Sequence, residues 1–150
     1  MAIERRYAAL AAILVLGACG NYPRDPEDTL NLVRQNNTFR VGLIARGDAQ
    51  SDKTNELIQR VAQATGARPV ARSGDAEPLL LDLEEGKLDL VVGTFDEKTP
   101  WDTRVTVGPA LERRLVGKTR QQLAPAMRNG ENAWIALIER QVRDIAPEAQ

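Results

Sequence analysis

The spacing of apolar positions changes several times along the chain, and each change marks an element. Asp25-Pro26-Glu27-Asp28 reads as a helix start, with Asp25 as cap, Pro26 in the first turn and two acids at the positive end of the dipole. Leu30 and Val33 supply that helix's apolar stripe, and Asn36-Asn37 stop it. Thr38 to Ile44 is rich in β-branched and aromatic residues and predicts a strand. Beyond a polar loop at 45–51, Ser51 is placed to cap a helix. Its Leu57, Ile58, Val61, Ala62 and Thr65 fall on one face, with Gly66 as its stop. A short strand at 68–72 contains Pro69, which confines it to an edge or a strand start. Asp75 then opens a helix carrying Leu79, Leu80 and Leu83, ending at Gly86. Leu88 to Val92 is nearly all apolar, as expected of a strand covered on both faces. A loop at 94–103, strands at 104–107 and 122–127, and a helix from about Glu131 to Ile145 complete the pattern. In that last helix Trp134, Leu137, Ile138, Val142 and Ile145 share a face, which assigns Trp134 to the core. Strands separated by helical stretches imply βαβ crossovers, so the fold class is α/β: a layered sandwich on a mostly parallel sheet.

The first eighteen residues follow another rule. Arg5 and Arg6 precede the uncharged run from Tyr7 to Leu16, which is shorter than the roughly 20 apolar residues needed to span a bilayer. Their order is that of a secretory signal peptide. Leu16-Gly17-Ala18-Cys19 resembles the lipobox of bacterial lipoproteins. That resemblance implies a leader at 1–18, acyl chains such as palmitate on Cys19, and a tether at 19–24. It also implies a periplasmic protein anchored to a membrane through its N-terminus. Gly20, where an Asp would signal inner-membrane retention, favours the outer membrane.

Composition narrows the chemistry. There is no His and one Cys, which removes histidine acid–base catalysis, Cys/His metal sites and internal disulfides. Twenty Lys+Arg against 21 Asp+Glu offer no basic footprint for nucleic acid and no general cationic surface for anionic membranes. Removing the leader takes away Glu4, Arg5 and Arg6, leaving 18 basic and 20 acidic residues. No phosphate-binding glycine loop or G-x-S-x-G nucleophile motif occurs. Glu84, Glu85 and Asp89 read either as a catalytic carboxylate cluster or as a solvated helix end. No enzyme, cofactor or metal site is expected.

Several consecutive segments resemble the type 2 periplasmic solute-binding proteins, the receptors of ABC transporters for amino acids and similar solutes. Thr29 to Arg34 running into Thr38-Phe39-Arg40-Val41-Gly42 is similar to their helix-then-"LRVG" opening. Leu83-Glu84-Glu85-Gly86-Lys87-Leu88-Asp89-Leu90-Val91-Val92-Gly93 resembles their "L-x-x-G-K-x-D-x-x-x-G". Thr99-Pro100-Trp101-Asp102-Thr103-Arg104, followed by Gly108-Pro109, resembles their "T-P-x-R" turn and following strand, and 122–145 their returning strand and C-terminal helix. The resemblance implies a single lobe at 25–150. The family's second lobe is inserted between the positions matching Leu111 and Gln122, where this chain has ten residues, Glu112 to Gln121.

The resemblance also implies site residues. The Arg of the turn pairs with a ligand carboxylate in amino-acid-binding members; strict spacing puts Asp102 there, and two inserted residues put Arg104 there. Thr94 matches a hydroxyl or backbone contact at a strand's C-terminal end. Trp101 either lines the cleft as an aromatic platform or covers the sheet end. The expected function is a solute-binding lipoprotein for amino acids or small organic acids, with a permease or another envelope protein as partner. The alternative is an envelope interaction lipoprotein that retains the lobe without the transport task.

Overall fold

The computed structural model describes residues 25–45 and 51–149, so the segments expected to be a leader (1–18) and a tether (19–24), with Cys19, lie outside the described residues. Among the described residues, four helices surround one six-stranded sheet. The order is α1 (Thr29–Asn36), β1 (Thr38–Ile44), α2 (Asp52–Thr65), β2 (Arg68–Gly74), α3 (Ala76–Glu84), β3 (Leu90–Asp96), β4 (Val105–Val107), β5 (Glu112–Val116), β6 (Thr119–Arg128) and α4 (Asn132–Ile145). Short 3-10 turns cover Pro100–Thr103 and Pro147–Ala149.

The strands lie in the order β2-β1-β3-β6-β4, with β5 also paired to β6. β1 runs parallel to β2 and β3, whereas β6 runs antiparallel to β3, β4 and β5. Five strands therefore share one direction and β6 alone opposes them. β3 takes one side of β6, while β4 and β5 follow one another along its other side.

Alternation along the central strands divides the core into two layers. Phe39 and Val41 of β1, Leu90 and Val92 of β3, and Leu123 and Met127 of β6 face α1, α2 and α4. Ile44, Val91, Phe95, Ala124 and Ala126 face α3, which contributes Leu79, Leu80 and Leu83. On the α3 side the sheet surface is kept low by small residues. A Cβ on Gly93 would stand 2.7 Å from both Cβ and Cγ1 of Ile44, so this position of the "G-K-x-D" segment is closed to larger side chains. Trp134 is fully buried, meets Phe39 edge-to-face at 6.1 Å, and donates from Nε1 to the Asp89 carbonyl at 2.7 Å.

Several expectations hold. Ser51 Oγ accepts from the Thr54 N–H, Gly66 ends α2 in the left-handed region at φ 74°, and β2 is an edge strand. Others are corrected. The first helix begins at Thr29, not Pro26, because the capping chemistry is exchanged between elements. Asp25 accepts at Oδ1 from the Asn132 N–H (2.8 Å) and at Oδ2 from the Ala133 N–H (2.9 Å), so it caps α4. Glu131, immediately before α4, accepts from the N–H groups of Glu27 (2.9 Å) and Thr29 (2.8 Å), so it caps α1. Two helix N-termini are thus each neutralised by a carboxylate belonging to the other's lead-in. β3 starts two residues later than the apolar run suggests and continues through Thr94 to Asp96. The ten residues at 112–121 form most of a hairpin, which exposed polar side chains had hidden.

Candidate functional site

The C-terminal ends of β1 and β3 open into a cleft of about 450 Å³. Open α/β sheets bind ligands at this end because the loops leaving parallel strands diverge there. Ile44 ends β1; Thr94, Phe95 and Asp96 end β3; Ala76 and Leu80 come from α3. Thr99, Pro100 and Trp101 form a wall, and Gln121 of β6 closes one side. Thr99 accepts from the Trp101 N–H at 3.4 Å, which fixes the 3-10 turn that holds the indole.

The cleft has an apolar floor and a few polar groups. Asp96 is exposed and accepts at Oδ1 from Gln121 Nε2 at 3.0 Å. At the first turn of α3, Asp75 occupies the cap position without a side-chain hydrogen bond to the helix. The positive end of that helix therefore retains unsaturated donor capacity beside the cleft.

Of the residues singled out in the sequence, Thr94 and Trp101 meet in this cleft. Trp101 lines the cleft and packs against the core on the α3 side. Arg104 stands over the Trp101 ring, with Cζ 4.7 Å from its centroid, and its guanidinium engages both oxygens of Glu84. Asp102 is exposed in the same turn. Asp96 and Gln121 were not anticipated. Continuing the alternation of Val91 and Val92 through Thr94-Phe95-Asp96 would have extended the strand to Asp96.

The acidic trio does not converge. Glu84 pairs with Arg104, Glu85 with Lys87 at 2.5 Å, and Asp89 with Arg40. Asp89 accepts from the Arg40 N–H (2.7 Å), Nε (3.0 Å) and Nη2 (2.6 Å), and so ties the start of β3 to β1. Hydrogen bonding to Asp89 raises the Arg40 pKa further, against the opposing effect of burial. Among the described residues no group of three metal-ligating side chains occurs, and no helix is long and apolar enough to cross a membrane.

No protein-family model matches the chain, and no curated protein matches it. Solved structures do match its fold. A mutant of the arginine-bound form of domain 1 from TmArgBP aligns with a TM-score of 0.65 at 15% identity, over 79% of this chain and 98% of that one. An ancestral cationic amino acid solute binding protein aligns with a TM-score of 0.64 at 10% identity, over 80% of this chain and 94% of that one. The periplasmic domain of BvgS from B. pertussis aligns at 0.58 and 9% identity, over 83% of this chain and 43% of that one. The fold is therefore that of a single lobe of a type 2 solute-binding protein.

Proposed function

We propose that the chain is a solute-binding lobe of the bacterial envelope, anchored by lipid at Cys19, which holds an amino acid or similar small carboxylate in the strand-end cleft. The observation that carries this reading is the cleft itself, which places an acid, an aromatic face and an uncapped helix start around one apolar floor. A carboxylate and an indole face together suit a cationic side chain, as the Trp101–Arg104 stack already illustrates within the chain. Thr94 and the first turn of α3 suit a carboxylate. Arg104 does not line the cleft; it stacks on Trp101 and pairs with Glu84. The fold match to an arginine-bound isolated domain 1 supports solute binding by one lobe.

A single lobe offers one wall, so affinity is expected to be modest, with a Kd of about 0.1–1 mM, or roughly 4–5.5 kcal/mol. Calorimetry with arginine, lysine and glutamate tests the reading. Asp96→Asn should weaken a cationic amino acid about tenfold, and Trp101→Ala about fivefold. Absence of heat with every amino acid at millimolar concentration would remove solute binding. Labelling with palmitate tests the anchor: incorporation should be lost in Cys19→Ser, and label retained in that variant would place the lipid elsewhere.

The chain's route supports the geometry. Asp25 packs against the start of α4, beyond the end of β6 at Arg128, while the cleft adjoins the start of β6 at Gln121.

A further inference from the structure

We infer that the β5–β6 hairpin is a docking element for an anionic phospholipid surface, a property separate from solute binding and from the lipid anchor. The near-neutral balance of the chain conceals a local segregation of charge. Residues 112–121 carry Arg113, Arg114, Lys118 and Arg120 against Glu112 alone. The strands register Val116 against Thr119, so Gly117-Lys118 is a two-residue turn, with Gly117 at φ 61° as such a turn requires.

The tip is also apolar. Leu115 and Val116 are 67% and 53% exposed, and they stand beside the turn rather than over the core. Arg113, Arg114, Leu115 and Arg120 line a shallow hollow of about 360 Å³ with Glu97 and two glutamines. Among the described residues, Glu97 lies 3.8 Å from Arg120, and Glu112 lies 3.5 Å from Arg114. An acidic protein or a free anion could satisfy the cations. Two large apolar side chains at the end of a cationic finger instead match a bilayer interface, where phosphates lie above hydrocarbon. A second copy of the chain is disfavoured by repulsion between identical basic tips.

The hairpin and the cleft share Gln121, so lipid contact brings the edge of the cleft to the membrane surface. The ten residues of β6 span about 33 Å, and six residues from Cys19 to Asp25 reach at most about 20 Å. A molecule lying along the bilayer can therefore use both attachments at once.

Co-sedimentation of the full chain with vesicles of phosphatidylcholine, with and without 30 mol% phosphatidylglycerol, tests the inference. The apolar leader is common to every variant and cancels in the comparison. Wild type should favour the anionic vesicles and lose that preference at high salt. Arg113→Gln with Lys118→Gln should lower affinity about 25-fold, since each cation near an anionic surface contributes about fivefold. Leu115→Ser with Val116→Ser should lower it about tenfold or more. Arg60→Gln with Arg143→Gln, on α2 and α4, should leave affinity within about twofold, and thermal unfolding confirms that each variant folds. Equal binding to neutral vesicles, hairpin variants that bind like wild type, or an equal loss in the α2/α4 variant would overturn the inference. Displacement by inorganic phosphate at constant ionic strength would overturn it too, by showing a site for a free anion.

Discussion

Glu131→Ala should lower the unfolding free energy by about 3–5 kcal/mol, the range seen when one member of a buried charged network is removed. Glu131 is 1% exposed, and its two oxygens satisfy the N–H groups of Glu27 and Thr29 at the start of α1. Truncation leaves the buried Thr29 donor without its acceptor and exposes Arg128, 3.7 Å away, to the loss of its partner. Glu131→Gln keeps one acceptor oxygen and should cost less, about 1–2 kcal/mol. Urea unfolding of both variants checks the order.

The same carboxyl makes stability depend on pH. Burial pushes its pKa up, but the N–H groups of Thr29 and Glu27, with the Thr29 hydroxyl and the Arg128 guanidinium, outweigh burial and hold it below the ordinary glutamate value. The unfolded chain therefore binds this proton more readily than the folded one. The contribution is complete above the unfolded glutamate pKa of about 4.3 and is lost as pH falls from there through the lower folded value. Wild type should lose more stability than Glu131→Gln between pH 5 and 3, and parallel losses would contradict the assignment.

Trp134→Ala should cost about 3–5 kcal/mol, as expected for a large aromatic removed from a packed core. The indole joins α4 to the sheet: it meets Phe39 of β1 edge-to-face, and its N–H holds the Asp89 carbonyl. Trp134→Phe retains a ring and removes only the donor and part of the volume, so it should cost about 1–3 kcal/mol, most of it from the stranded carbonyl. Thermal and urea unfolding of the pair separate packing from hydrogen bonding. A smaller loss for alanine than for phenylalanine would show that α4 does not depend on this contact.

Particular residues show how far the sequence carried the fold. Leu57 and Val61 announced α2 because helical spacing reports a buried stripe directly. β1 was legible to its last residue, since its β-branched and aromatic run supplies the buried Phe39, Val41 and Ile44. Asp25-Pro26-Glu27-Asp28 satisfies the local rule for a helix cap, yet its first carboxylate serves α4, 107 residues away in sequence from the N–H it meets at Asn132. Local pattern cannot register that exchange. β5 was missed for a different reason: residues 113–116 are exposed, so no burial alternation marks them.

The site was legible in part. Thr94 and Trp101 come together in the cleft because a strand end and a capped turn converge there. Asp96 was obscured because a polar residue closing an apolar strand looks like the beginning of a loop. The pairing of Arg104 with Glu84 depends on the approach of α3 to the turn, which no spacing reveals.

The most direct measurement is an amide NMR titration of the chain with arginine. The account predicts saturable shifts concentrated at Ile44, Ala76, Thr94 to Asp96, Trp101 and Gln121, abolished or weakened about tenfold by Asp96→Asn. Saturable shifts centred elsewhere, or no shifts at millimolar amino acid, would contradict a solute site at the strand ends.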